Sequence, residues 1–220
     1  MQVRRTCEAL LLLVLLFSGG KVSADLVVNG DFENPVVSGS HFGWFNSIPG
    51  WTASSNQIEI QVSEGFFGGR QVVGQALAPG NQFVELDAEF NGAMYQDLPT
   101  TLGTTYQLEF YYSPRNGFDG NSFPASTNGI EIYWEGALLD TITADGPNVP
   151  TNQWEKQTYV LNTSSNTGLS RLEFAATGTS DSIGGLIDKV SVAVPEPSPM
   201  FCLGMLALVA GLRRRTQKRK

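Results

Sequence analysis

Between residues 25 and 194 the apolar residues recur with a period of two, and nowhere with a sustained helical period. The stretch from Thr105 to Tyr112 is the plainest: Tyr106, Leu108, Phe110 and Tyr112 fall on one face, Gln107, Glu109 and Tyr111 on the other. Alternation of this kind marks a half-buried strand, because successive side chains of an extended chain leave opposite faces. Comparable stretches run from Gln57 to Val62, Gln82 to Leu86, Gly129 to Trp134, Trp154 to Leu161, Leu169 to Ala175 and Leu186 to Val194. Clusters of Gly, Pro, Asn and Ser separate them, and these residues break strands and make turns. Many short strands with turns between them predict an all-β fold, an antiparallel β-sandwich of the jelly-roll type. There is no internal repeat. The segment from Ser113 to Asn128 is the best candidate for a functional surface loop.

The two ends of the chain follow different rules. Arg4 and Arg5 precede an apolar run from Ala9 to Phe17, and Val22-Ser23-Ala24 offers the small-residue exit that signal peptidase accepts. Residues 1–24 therefore read as a signal peptide, with the mature chain starting at Asp25. At the far end, Val194-Pro195-Glu196-Pro197-Ser198 precedes an apolar run from Met200 to Leu212, then Arg213-Arg214-Arg215 and a basic tail. That run is shorter than the roughly 20 residues a transmembrane helix needs. The basic cluster would hold this end on the cytoplasmic side and leave the preceding domain beyond the inner membrane. Pro195, Glu196 and Pro197, the apolar helix and the arginine cluster, in that order, resemble a PEP-CTERM sorting signal over residues 195–220. The resemblance implies a Gram-negative bacterium that makes an exopolysaccharide, and an exosortase-type membrane protease that removes the tail. It also implies membrane contact through the C-terminal segment only before processing, and a final place at the cell surface, in the extracellular matrix or in the medium. An ordinary short tail anchor is the alternative.

From Asp25 to Pro199 there are 20 Asp and Glu against 5 Lys and Arg, a net charge of −15 that the whole-chain value of −7 hides. Such a surface repels nucleic acid and anionic lipid and offers carboxylates to divalent cations. Residues 25–194 match the usual size of one domain. Cys7 and Cys202 lie in the end segments, so the domain between has no disulfide and no thiolate for zinc or catalysis. His41 is the only histidine and sits in the Gly- and Ser-rich stretch Ser38-Gly39-Ser40-His41, which reads as a solvated loop with no nucleophile turn beside it.

Asn29-Gly30-Asp31-Phe32-Glu33-Asn34-Pro35 near the mature start and Gly184 to Val192 near the domain end, with Pro49-Gly50-Trp51, Gly80 to Leu86 and Gly103 to Leu108 between them, resemble the galactose-binding-like jelly-roll modules. That group includes many carbohydrate-binding modules. The resemblance implies a structural calcium where the first and last strands meet, held here by Glu33 and Asp188, with Asp31 as a further candidate ligand. Lys189 stands where the family usually has a second acidic residue. Parity alone makes Asp188 conspicuous: it aligns with Leu186, Val190 and Val192 and would lean to the apolar face. A carboxylate there needs a cation or several donors, or else a β-bulge that turns it to water.

Sugar recognition uses aromatic rings as platforms and polar groups that fix orientation. Tyr95, Tyr111 and Tyr133 have the solvent-facing parity of strands, and Trp44 would add a rim contact, whereas Trp51 and Trp154 read as packing beneath the sandwich. Each of these rings also fits cross-strand packing. Glu85-Leu86-Asp87-Ala88-Glu89 resembles the active-site strand of jelly-roll β-glucanases, in which paired carboxylates ~5 Å apart act as nucleophile and acid/base. The bland alternative for Glu85, Asp87 and Glu89 is an acidic, solvated strand edge. The expectation is an exported, calcium-stabilised jelly roll that binds extracellular polysaccharide. A glycosidase using Glu85 and Glu89, or a matrix protein without a ligand pocket, are the competing classes.

Overall fold

A computed structural model of the chain describes residues 24–39, 41–64, 66–67, 70–71, 74–117, 122–149 and 151–195. The expected signal peptide, apart from Ala24, and the sorting segment beyond Pro195 lie outside these residues. The strands are β1 (Phe42–Phe45), β2 (Ser47–Ile48), β3 (Trp51–Ser55), β4 (Ile58–Val62), β5 (Phe66–Phe67), β6 (Arg70–Gln71), β7 (Gln82–Glu85), β8 (Ala93–Pro99), β9 (Thr105–Ser113), β10 (Gly129–Trp134), β11 (Ala137–Ile142), β12 (Glu155–Asn162), β13 (Leu169–Thr177) and β14 (Leu186–Ala193). Sheet I has the order β1-β4-β7-β14-β9-β12 and sheet II the order β11-β10-β13-β8-β3-β2; β5 and β6 pair by themselves. Every pairing is antiparallel. The result is an antiparallel two-sheet sandwich whose strand order fits a jelly roll.

Period-two alternation explains the layering. Tyr106, Leu108, Phe110 and Tyr112 of β9 are all buried between the sheets, as are Ile58 and Ile60 of β4 and Ile130, Ile132 and Trp134 of β10. Phe110 meets Phe174 of the opposite sheet edge-to-face, with centroids 5.0 Å apart. Trp51 packs against Phe174 at 6.1 Å and Phe32 at 5.7 Å, and its indole N–H donates to the Asn29 carbonyl. Trp154 belongs elsewhere: it packs on Phe83 in a small second cluster with Leu186 and Ala76.

The two ends of the sandwich are stitched together. Leu26 N–H donates to Val192 O and Val190 N–H to Gly30 O, both at 2.8 Å. A Cβ on Gly30 would collide with the Val190 carbonyl, so only glycine allows this approach. The N-terminal motif is thereby laid along β14, which brings Glu33 towards Asp188 and Lys189.

Candidate functional site

Cross-strand register places one polar row on the outer face of sheet I. Trp44 pairs with Glu59, Glu59 with Glu85, Glu85 with Leu186, and Leu186 with Ser113. Residues directly opposite share a face, so these side chains point away from Ile58, Ile60 and Val84, which enter the core. In the next row Phe42 faces Gln61 and Gln61 faces Phe83. Arg115, just beyond β9, reaches into the first row and forms an ion pair with Glu85.

This outer face is not solvated at its centre. Glu59 is 5% exposed, Gln61 2%, Glu85 1% and Arg115 5%. The Gln61 amide nitrogen donates to Glu59 Oε1 and, at 2.8 Å, to Glu85 Oε2; Gly184 N–H donates to Glu85 Oε1 at 2.6 Å. The Trp44 indole N–H donates to Glu59 Oε2 at 2.6 Å. One guanidinium thus faces two buried carboxyls, which cannot both ionise cheaply. Burial and the neighbouring Glu85 push the Glu59 carboxyl up to about 9. Burial also raises Glu85, opposed by the Arg115 contact and by hydrogen bonds from Gly184 and Gln61. Gln61 Oε1 has no hydrogen-bond partner among the described residues.

The segment Ser113 to Asn128, expected as a surface loop, is buried at its two ends and exposed at Ser122, Pro124 and Ser126, while residues 118–121 lie outside the described residues. Residues 113–117 and Asn128 are buried, with Asn128 Oδ1 accepting Arg115 N–H at 2.8 Å. Its first residues deliver Arg115 inward to Glu85. A signal for it was present: Arg115 is one of five basic residues between Asp25 and Pro199.

The expected trio Glu85, Asp87 and Glu89 does not share a strand face, because β7 ends at Glu85. Asp87 lies in an isolated bridge to Asn91 and is buried; its Oδ2 accepts Asp181 N–H at 2.9 Å, and burial raises its pKa. Glu89 is exposed. Glu85 meets Glu59 instead.

The aromatic candidates divide between two faces. Tyr95 and Tyr133 flank Glu173 in one row on the outer face of sheet II. Tyr111 lies on sheet I, opposite Asp188 on one side and Lys156 on the other, so it shares its sheet with Trp44. One face of the Tyr95 ring is covered by the Arg171 guanidinium, 3.6 Å from the centroid, and Arg171 is clamped by both oxygens of Asp97 at 2.8 and 2.9 Å. The Tyr133 hydroxyl donates to Glu131 at 2.6 Å. Trp44, 42% exposed and tilted against Phe42, is the open ring held by a buried polar group.

Asp188 lies at a β-bulge, but the bulge does not turn it to water as expected: it stays fully buried, with backbone donors. A β-bulge is present, with Lys189 at φ 53° and a register shift between Asp188 and Ser191. The bulge switches parity: Val190 and Val192 enter the core, while Asp188 joins Leu186 on the outer side, fully buried next to the backbone of Leu77. Its carboxylate accepts N–H groups of Leu77 at 3.2 Å and Lys189 at 2.7 Å, and burial pushes its pKa up to about 7. Glu33 Oε1 is used by the N–H groups of Asn81 at 2.6 Å and Gln82 at 2.9 Å. Asp31 is exposed. Among the described residues no three His, Cys, Asp or Glu side chains gather as a metal set. Calcium asks for 6–8 oxygens; here the Glu33 and Asp188 carboxyls are each engaged by backbone N–H groups.

No protein-family model matches the chain. Over 175 residues, 79% of its length, it is 30% identical to multifunctional-autoprocessing repeats-in-toxin proteins of Vibrio vulnificus and Vibrio cholerae, and it spans 3% of the length of each. Among solved structures it is similar to a Stig cyclase from Fischerella sp. in complex with an indole compound. The TM-score is 0.55 and the identity 14%, over 80% of this chain and 100% of that one. That likeness is one of fold. A carbohydrate-binding module in complex with β-1,4-galactotriose aligns with a TM-score of 0.46 and 14% identity, over 79% of this chain and 100% of that one.

Proposed function

We propose that the chain is an exported, exosortase-sorted surface or matrix protein whose sandwich binds carbohydrate, extracellular polysaccharide in particular, on the outer face of sheet I. The supporting observation is Trp44, an open ring whose indole N–H is fixed by buried Glu59. Behind it, buried Gln61, Glu85 and Arg115 form a connected polar set that holds Glu59, and through it the ring, in place. A pre-oriented ring offers stacking area to a sugar face at little entropic cost. Binding without turnover fits this geometry, because Glu85 is committed to Arg115 and Glu89 stands apart. Export and tail removal rest on the two terminal segments of the sequence.

Retention of the purified protein on immobilised bacterial exopolysaccharide, β-glucan and galactan tests the site. Trp44→Ala is expected to weaken retention about ten-fold or more, the usual consequence of losing a central aromatic contact, while Tyr95→Ala leaves it unchanged. Failure of the wild-type protein to bind any of the three polysaccharides removes the binding role and favours a matrix protein without a ligand.

A further inference from the structure

The junction between the N-terminal motif and β14 is rich in oxygen yet contains one ammonium. An added Cβ at Gly80 would lie 2.8 Å from Glu33 Oε1, 3.1 Å from the Leu77 carbonyl oxygen and 3.1 Å from Lys189 Nζ, so these three polar atoms surround one small space. Lys189 Nζ donates to the Pro79 carbonyl. Asp188 is fully buried next door, its oxygens taken only by the backbone N–H groups of Leu77 and Lys189. The β-bulge matters here, since Lys189 sits at φ 53°. Lysine is uncommon in that region, which Asn and Asp tolerate better, so the backbone is held in a conformation better suited to an oxygen-bearing side chain.

We infer that the Lys189 ammonium is the built-in cation of this junction, standing where the acidic residues would otherwise require a divalent ion, so that the domain joins its first and last segments without metal. The Lys189 ammonium bonds the Pro79 carbonyl, shares its small space with Glu33 Oε1 and the Leu77 carbonyl, and acts through space on the buried Asp188 carboxyl. A lysine here removes the dependence of folding on external calcium, at the cost of an unfavourable backbone angle.

Thermal melting of the purified protein in calcium chloride and in excess EDTA is the test. Wild-type protein is expected to melt at the same temperature in both. Lys189→Asp and Lys189→Asn, which restore an oxygen ligand at a compatible φ, are expected to melt higher in calcium than in EDTA. A site filled at 100-fold excess over its Kd would raise the melting point by about 5–10 °C in a domain of this size. A rise of that size in the wild type overturns the inference, as does a folded Lys189→Asp that ignores calcium. If neither variant folds, the Lys189 ammonium can be followed in the wild type by ¹H–¹⁵N NMR. Slowed proton exchange supports a fixed cation, and exchange as fast as that of exposed Lys156 contradicts it.

Discussion

Arg115→Met is expected to destabilise the protein by about 3–5 kcal/mol, the usual consequence of leaving one member of a buried ion pair without its counter-charge. For a domain of this length that corresponds to a fall in melting temperature of roughly 6–20 °C. The size follows from where Glu85 lies: 1% exposed, with Arg115 its only cationic contact within ion-pair reach among the described residues. Gln61 and Gly184 still donate to Glu85 in the variant, yet two neutral donors do not replace a guanidinium. The double variant Arg115→Met/Glu85→Gln is expected to recover most of the loss, because replacing both charges removes the unpaired group along with its partner. Equilibrium urea unfolding of the two variants and wild type reads this directly. A single variant within about 0.5 kcal/mol of wild type, the range of ordinary surface changes, would mean that the ion pair contributes nothing.

Glu59→Gln carries the second large effect, and its sign depends on pH. In the unfolded chain this carboxyl titrates near its usual 4.5, and in the native protein burial and Glu85 raise it to about 9. Between those values the native state holds a proton that the unfolded state has lost. Stability therefore falls as pH rises through that window, by up to about 1.4 kcal/mol per pH unit, and the loss is complete above the native value. Glutamine mimics the protonated acid and keeps an acceptor for the Trp44 indole, so the variant lacks this slope. Its stability relative to wild type should increase steadily from pH 5 to pH 9. Unfolding free energies that run parallel for the two proteins over that range would place the proton elsewhere.

Much of the architecture is legible in the sequence, and the parts that are not have physical reasons. The seven stretches marked by alternation all become strands, and Gly129–Trp134 keeps its bounds. The strands not marked carry weaker patterns. In β8, Gln96 turns inward between Met94 and Leu98, where its side chain exchanges hydrogen bonds with the Val28 backbone. A polar residue at a buried position interrupts the alternation. Chain β3 offers Trp51 and Ala53 among hydroxyl residues, and β11 is an edge strand with both faces partly open.

The site was less legible than the fold. The carboxyl partner of Glu85 is not Glu89, further along the chain, but Glu59, across the sheet. A contact of that kind depends on strand order, which alternation does not encode. Glu59 and Gln61 have the outward parity of β4, and their burial comes from residues that strand periodicity does not place, Trp44 and Arg115 among them. The aromatic candidates fail as one group for the same reason, since Tyr95 and Tyr133 belong to sheet II and Tyr111 to sheet I.

The four tryptophans allow a direct test of where ligand binds. Each indole N–H has a different partner: Glu59 for Trp44, Asn29 for Trp51, Asn162 for Trp134 and Gln75 for Trp154. Titration of ¹⁵N-tryptophan-labelled protein with soluble β-glucan, galactan and bacterial exopolysaccharide oligosaccharides, followed by ¹H–¹⁵N NMR, reports on all four at once. Binding on the outer face of sheet I should shift the Trp44 indole signal progressively and leave those of the core residues Trp51 and Trp134 in place. Saturable binding that leaves the Trp44 signal unmoved would contradict a site on that face.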